Sequence, residues 1–392
     1  MTELVRKLDG YRRKLNYEWA QRRNARAAKK REVAFEAWLN HLETNPPEVL
    51  LGANFSSFGG VRHHIQAIQH FSSMNVELAP SEQLMQKLKT HHFTHDFHEK
   101  FLSFPAAGIK VVHSHVFPWF IEWCRERQKS GLRWVHTYHL NYYPEHGVDV
   151  LEPWQQEINH SLLQVARHAD VCLSVSKWQV EELAQQHGIE SQYLPNGVDI
   201  AKCDAADATR FVQKTGLENF VLYVGRNDPV KNPEEFVRLA QLLPDYRFVM
   251  IGGGLSGHSL QRDWNVEVPS NLRVLGSLPH AEVLDGIAAC STLVVTSKRE
   301  GLPTLVMEGM TQSKAVVVTN EPGCMEVIGH GEAGVIYEAG NIDDLMKKTL
   351  RAMTDCKIGA FARQRVLAEY DWRQIAPKLD AIYSGGQVNF DS

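Results

Sequence analysis

Apolar residues along this chain come in short continuous runs, and stretches with helical spacing separate one run from the next. The runs Glu48–Asn54, Asn75–Ala79, Ile109–His115, Arg133–His139, Val171–Val175 and Gln192–Leu194 predict strands. Between them, helical patterns open at Val61 and cover Phe117–Gln128, Glu152–Arg167 and Ser176–Gln186, the last with a serine in capping position. Pro195-Asn-Gly-Val-Asp199 breaks the pattern, and the polar, alanine-rich Ala201–Ala208 reads as a linker. The alternation then starts over. Strands are predicted at Phe220–Val224, Arg247–Ile251, Leu272–Leu275, Thr292–Thr296, Ala315–Thr319 and Gly334–Tyr337, with helices at Glu234–Leu243, His280–Ala289, through Glu308, at Asn341–Thr354, Ala360–Glu369 and Trp372–Tyr383. Repeated strand–helix alternation implies parallel sheets covered by helices. The fold class expected is α/β, two doubly wound domains with a cleft between them.

Two stretches stand outside this pattern. Residues 1–43 hold almost no Gly or Pro and carry a basic series that includes Arg12, Arg13, Lys14, Arg22, Arg23, Arg26, Lys29, Lys30 and Arg31. Leu4, Leu8, Tyr11, Leu15 and Trp19 follow helical spacing, as do Phe35, Trp38, Leu39 and Leu42. This extra N-terminal helical arm suits peripheral contact with an anionic membrane surface, packing on its own domain, or a homodimer seam. Residues 80–105, with His91, His92, His95 and His98, read as a solvated variable loop and not as a metal site, since no cysteine accompanies them. The domain boundaries expected are 1–45 for the arm, 46–200 for a first α/β domain and 201–372 for a second. Residues 373–392 are expected to hold a helix crossing back to the first domain, then a tail.

Composition narrows the class. A chain of 392 residues needs more than one core, and 43% apolar and 22% charged residues with net charge −4 describe a globular protein with no nucleic-acid signature. The six cysteines lack CxxC spacing and fall partly in apolar runs, as expected of reduced, buried thiols. The amino terminus lacks a signal-peptide core and no apolar run reaches 18 residues. A cytoplasmic protein is expected, peripheral at the inner membrane face if it meets a membrane.

The candidate chemistry lies where strands end. Ser297-Lys-Arg-Glu-Gly-Leu-Pro-Thr-Leu-Val-Met-Glu308 follows a buried strand and leads into a helix whose free N–H groups and dipole suit an anion. Gly225-Arg226 follows another strand and Lys231 precedes the next helix, so two cations are available to a diphosphate. Gly59-Gly60 and Gly252-Gly-Gly254 are turns that let backbone approach a ligand. Two strands of the first half end in histidines, His113 with His115 and His136 with His139, and the loop after them carries Tyr142. Alternation puts His113 and His115 on one face.

Taken together, Pro195-Asn-Gly-Val-Asp199, Gly225-Arg226 with Lys231, Gly252-Gly-Gly254, and Glu300 with Glu308 resemble the glycosyltransferases of the two-Rossmann-domain (GT-B) fold, and among them the retaining family 4 type. The resemblance covers about residues 49–384. It implies that Arg226 and Lys231 bind a donor diphosphate, that Glu308 holds the nucleotide ribose, and that Glu300 with Gly301, Leu302, Pro303 and Thr304 faces the sugar. It also implies donor contacts at Gly59, Gly60, Gly225 and Gly253, and a catalytic role for His139, which Thr137-Tyr-His139 matches better than His136. His113, His115 and Tyr142 are the acceptor-side candidates. After Glu308 the family commonly has Ala-Met-Ala-x-Gly-x-Pro, where this chain has Gly309-Met-Thr-Gln-Ser-Lys-Ala315, and Gly323 is followed by Cys324 instead of glycine.

No Asp-x-Asp occurs in the chain, so no metal and no cofactor is expected. The donor would be a nucleoside-diphosphate sugar, uridine before guanosine, and the acceptor a glycan or a lipid-linked glycan. Two rivals share the fold, a nucleotide-sugar 2-epimerase and a non-catalytic nucleotide-sugar-binding partner subunit.

Overall fold

The computed structural model describes residues 24–53, 59–88, 95–143 and 151–386. Its twelve strands are β1 (Val49–Gly52), β2 (Val76–Ala79), β3 (Val111–Ser114), β4 (Arg133–Tyr138), β5 (Val171–Ser174), β6 (Gln192–Tyr193), β7 (Phe220–Val224), β8 (Arg247–Ile251), β9 (Leu272–Val274), β10 (Thr292–Val295), β11 (Ala315–Thr319) and β12 (Val335–Tyr337). They form two six-stranded sheets, ordered β2-β1-β3-β4-β5-β6 and β12-β11-β10-β7-β8-β9. Every pairing is parallel. Chain direction along each sheet reverses once, between β1 and β3 in the first and between β7 and β10 in the second. At such a switch point the two following loops splay apart and leave a crevice at the strands' carboxyl ends. All the candidate loops leave from strands at or beside these two points.

The strands are continuous apolar runs because helices cover both faces. In β10 and β11 every residue is buried. The helix Thr304–Thr311 lies directly on these two strands: a Cβ on Gly309 would stand 2.8 Å from Leu293 Cδ2 and 3.1 Å from Val316 Cγ2. Glycine in place of the family's alanine therefore sets a closer helix–sheet approach and leaves the fold intact.

The last helix, Trp372–Tyr383, buries Trp372, Ile375, Leu379, Ile382 and Tyr383 in the first sheet's core. Its Asp380 accepts hydrogen bonds from Ser72 Oγ (2.5 Å) and the Ser73 N–H (2.8 Å). The helix over residues 24–44 belongs to the same core through Phe35, Trp38 and Leu42, with Trp38 stacked on Phe101 at 5.6 Å. Lys100 joins it through Glu32 at 2.6 Å. Arg26, Lys29 and Lys30 stay exposed, and Arg12, Arg13, Lys14, Arg22 and Arg23 lie outside the described residues.

Several local readings are corrected. The expected loop 80–105 contains the helices Glu82–Leu88 and His95–Leu102, the second anchored by the buried Phe101; His91 and His92 lie outside the described residues. The linker Ala201–Ala208 is instead two helices, Ile200–Asp204 and Ala208–Thr215, capped by Asp199 and Asp207. Ile200 and Cys203 are buried in the second core, which ties this segment down. A helix at Gly257–Trp264, closed by a Ser256–Ser259 capping box, was not expected from the pattern. The helix predicted over Glu152–Arg167 is α-helical for Pro153–His160, widens to a π-turn at Ser161–Val165 and ends as a 3₁₀ turn. No helix of the described residues is long and apolar enough to cross a membrane.

Candidate active site between the two sheets

The carboxyl edge of the second sheet is built from ion pairs. Where β7 and β8 end, a Cβ on Gly252 (φ +156°) would fall 1.7 Å from the Gly225 carbonyl oxygen, so these two glycines exist to let two backbones touch. Gly253, the position singled out in the sequence, is less constrained and accepts a hydrogen bond from the Asn227 N–H at 2.9 Å. Beyond Gly225 the Arg226 guanidinium is largely exposed and pairs with Asp228 at 3.1 Å. The Lys231 ammonium pairs with Glu300 Oε1 across the switch point. Thr296 Oγ1 donates to the Lys231 and Asn232 carbonyls (2.9 and 2.8 Å), which fixes the β7 loop to the end of β10.

Helix Thr304–Thr311 begins at Pro303 with no side-chain cap and no acid in its first turn, so its N-terminal dipole is not offset by its own side chains. Glu308 is buried inside it, and His280 Nε2 meets Glu308 Oε1 at 2.8 Å. The His63 ring, from the first domain, packs on His280 at 4.8 Å, and burial together with His280 holds the His63 pKa below its ordinary value. A cavity of about 270 Å³ runs here between the domains, lined by His63, Lys202, His280, Thr304, Glu308 and Trp372 among others.

The edge of the first sheet carries neutral imidazoles. His113, His115, His136 and His139 are all buried. Burial pushes the His136 pKa down to about 3, and burial followed by the neighbouring rings holds His113, His115 and His139 well below the ordinary range. As alternation requires, His113 and His115 share a face with His139, while His136 turns the other way and bonds Ser114 Oγ at 2.8 Å. His115 Nδ1 lies 3.0 Å from His139 Nε2. His113 does not join them as an acceptor-side group: its two nitrogens are engaged by Tyr383 Oη (2.6 Å) and Thr137 Oγ1 (2.8 Å), so it anchors the last helix. Tyr142 is half-exposed, packs edge-on against Trp154 at 5.1 Å and is held by the Asn159 side chain. Around Gly59 (φ +135°) and Gly60 no atom of the described residues comes within 4 Å of a Cβ built at either.

The two edges are fastened to each other. A Cβ on Gly301 would stand 2.1 Å from the His139 carbonyl oxygen, so only glycine lets the Glu300 loop reach the histidine edge. The Trp178 indole donates to the Gly301 carbonyl (2.8 Å) and Asn196 Nδ2 to the Leu302 carbonyl (2.9 Å). Behind the loop, a Cβ on Gly323 would come within 2.4 Å of the Glu300 carbonyl oxygen. Burial raises the Glu321 pKa to about 7 beside it. Arg299 pairs with Glu182 at 3.0 Å and lies 3.8 Å over the Tyr143 ring. Ser176, expected to cap its helix, makes no side-chain cap; the Lys177 and Trp178 N–H groups donate instead to Glu326 of the second domain (2.9 and 3.0 Å). A carboxylate accepts two N–H groups at a dipole's positive end better than one hydroxyl does.

The structure thus brings His115, His139, Gly301 and Leu302 together and puts Lys231 on Glu300. It leaves Arg226 and Tyr142 toward solvent and His113 behind the site. Sequence reasoning missed His64, Trp178, Asn196, His280 and Glu326. His64 carried a usable signal, since it follows the Gly59-Gly60 turn on the same helix as the buried Ile65 and Ile68.

Two family profiles match successive stretches of the chain: "Glycosyltransferase Family 4" over residues 56–202 and "Glycosyl transferases group 1" over residues 206–367. A D-inositol 3-phosphate glycosyltransferase of Rhodococcus jostii is 25% identical over 315 residues, covering 72% of this chain and 67% of its own length. A GDP-mannose-dependent monoacylated alpha-(1-6)-phosphatidylinositol monomannoside mannosyltransferase of Corynebacterium glutamicum is 22% identical, covering 57% of this chain and 64% of its own. Among solved structures, Anabaena Alr3699/HepE in complex with UDP-glucose superposes with a TM-score of 0.70 at 18% identity, over 86% of this chain and 100% of the other.

Proposed function

The chain belongs to the family 4 glycosyltransferases of the two-Rossmann-domain fold, and from that premise we propose that it is a retaining, metal-independent transferase moving a sugar from a nucleoside diphosphate to an acceptor hydroxyl in glycan or glycolipid assembly. One observation carries this reading: Gly301 rests on the His139 carbonyl while Lys231 holds Glu300, so a cation, a carboxylate, a free helix N-terminus and a neutral imidazole converge on one crevice.

Transfer breaks the bond between the anomeric carbon and the phosphate oxygen and forms one to the acceptor oxygen; the acceptor's proton passes to the departing phosphate. Negative charge grows on the diphosphate, and Lys231, Arg226 and the N–H groups at Thr304 are the groups to meet it. Lys231 exchanges Glu300 for the phosphate, which frees Glu300 for the sugar's hydroxyls. Glu308 takes the ribose hydroxyls in place of His280, with Gly59, Gly60, Gly225 and Gly253 giving backbone room. His139 stays uncharged, orients the sugar and stabilises positive charge near the anomeric carbon. Among the described residues the first-sheet edge offers imidazoles where retaining hydrolases have a second carboxylate, which favours a front-face path. His115 and Tyr142 border the acceptor side, and the exposed Arg26, Lys29 and Lys30 suit an anionic acceptor or lipid surface or a second copy of the chain.

Uridine is the first choice of nucleoside, supported by the UDP-glucose complex of the Anabaena neighbour, and guanosine the second, supported by the GDP-mannose-dependent relative. Thermal unfolding with a panel of nucleoside diphosphates tests the donor half, because a ligand at 100 times its dissociation constant adds about 2.7 kcal/mol. A shift with one diphosphate, lost in Glu308→Ala, is expected. No shift with any of them, or conversion of the donor sugar to its epimer without acceptor, would overturn the reading.

A further inference from the structure

We propose that His64, His115 and His139 form a binding site for one divalent transition-metal ion, with Zn²⁺ the best fit. The three residues come from separate elements: the helix Gly60–Phe71, the end of β3 and the end of β4. One nitrogen from each lies within 4.8 Å of the other two, and all three side chains are buried.

Hydrogen bonding fixes how the rings present their lone pairs. Asn196 Nδ2 donates to the Leu302 carbonyl, so its Oδ1 is the atom 2.7 Å from His64 Nδ1. An amide oxygen only accepts, so Nδ1 carries the proton and Nε2 of His64 is left as a lone pair. That Nε2 and His115 Nε2 are buried and have no hydrogen-bond partner among the described residues. His115 Nδ1 and His139 Nε2, 3.0 Å apart, share a single proton. The separation is close to the roughly 3.3 Å edge of a tetrahedron with Zn–N bonds of about 2.0 to 2.1 Å. A cation entering between them takes both lone pairs, and the shared proton moves to the other nitrogen of its own ring, so nothing need be released.

Three imidazoles without a carboxylate select Zn²⁺ and its first-row neighbours over Mg²⁺ or Ca²⁺. Asn196 supplies the outer hydrogen bond that orients a metal-bound imidazole. Of the three, His139 is the most exposed, at 7%, so a fourth ligand would reach the ion past that ring. An ion there occupies the nitrogen of His139 nearest its partner rings and stops that ring from turning to a sugar. This consequence rests on the role proposed for His139; the binding does not.

The test uses the full chain without donor. Co²⁺ is expected to bind one to one with the visible bands of a tetrahedral nitrogen site. His64→Gln and His115→Gln should each lose the bands while still unfolding cooperatively, and Asn196→Ala, which keeps all three ligands, should weaken binding about 10- to 100-fold. X-ray absorption on the Zn²⁺-loaded wild type, independent of any variant, should count three imidazoles. A shell with fewer imidazoles, or unchanged bands in a folded His64→Gln protein, would overturn the proposal. Failure of either arm leaves the transferase reading standing, since no donor or turnover is involved.

Discussion

The two facing edges of the cleft solve opposite problems. The first sheet presents imidazoles that burial keeps neutral, each tied to an uncharged partner such as Tyr383, Thr137, Ser114 or Asn196. The second sheet presents charges, and each is already paired: Lys231 with Glu300, Arg226 with Asp228, Glu308 with His280. A neutral edge can sit against a reacting sugar without demanding a counter-ion. A paired edge holds its cations in place yet releases them to a stronger anion, since exchanging a carboxylate for a diphosphate leaves no cation bare and the freed Glu300 carboxylate turns to the sugar's hydroxyls. The contrast predicts that removing a charge of the second edge costs turnover, whereas the buried imidazoles of the first edge are what acid destabilises, so that replacing one of them softens the fall with pH.

The largest effect expected is on the charged edge. Lys231→Ala or Arg226→Ala should lower turnover roughly 10²- to 10³-fold by removing one preorganised contact to the leaving group, read as nucleoside diphosphate release with donor and acceptor present. Equal losses from His113→Gln would erase the contrast, because both His113 ring nitrogens are already held by Tyr383 and Thr137.

Next comes acid stability. The His64 pKa is pushed down to about 4 and that of His136 to about 3, below the unfolded value of 6.5, so the unfolded chain binds more protons throughout that window. Their contribution is whole above pH 6.5 and is lost as pH falls toward 4 and 3. Urea titrations should show each ring costing about 2 kcal/mol at pH 5 relative to pH 7, with a shallower fall in His64→Gln.

Glu321 has the opposite sign. Its folded pKa of about 7 lies above the ordinary 4.5, so the native state binds more protons between the two and stability falls as pH rises through that window. Glu321→Gln should flatten this alkaline side of the profile. The smallest effect is expected at the seam: Trp178→Phe removes one hydrogen bond to Gly301 and should cost about 1 kcal/mol of stability, measured as a shift in urea midpoint.

What could be read from sequence was local. The Ser297–Glu308 turn, the Arg226 and Lys231 spacing and the alternation of His113 with His115 each follow from a strand's end and the residues next to it. The helices Ile200–Asp204 and Gly257–Trp264 were legible in principle from Asp199 and Ser256 as caps, but each is so short that its apolar stripe is a single pair, Ile200 with Cys203 and Leu260 with Trp264. Glu326 capping the Lys177 helix, His280 on Glu308 and Asn196 between His64 and Leu302 join residues 28 to 149 positions apart, and no local pattern encodes such partners.

The proposed sugar transfer takes place at the paired edge and needs no metal. Its most direct measurement is nucleoside diphosphate release from the preferred donor, with acceptor, in excess chelator, for wild type and Arg226→Ala side by side. Release that persists in chelator and falls at least a hundredfold in the variant is the expected result. Release abolished by the chelator, or undiminished in Arg226→Ala, would contradict it.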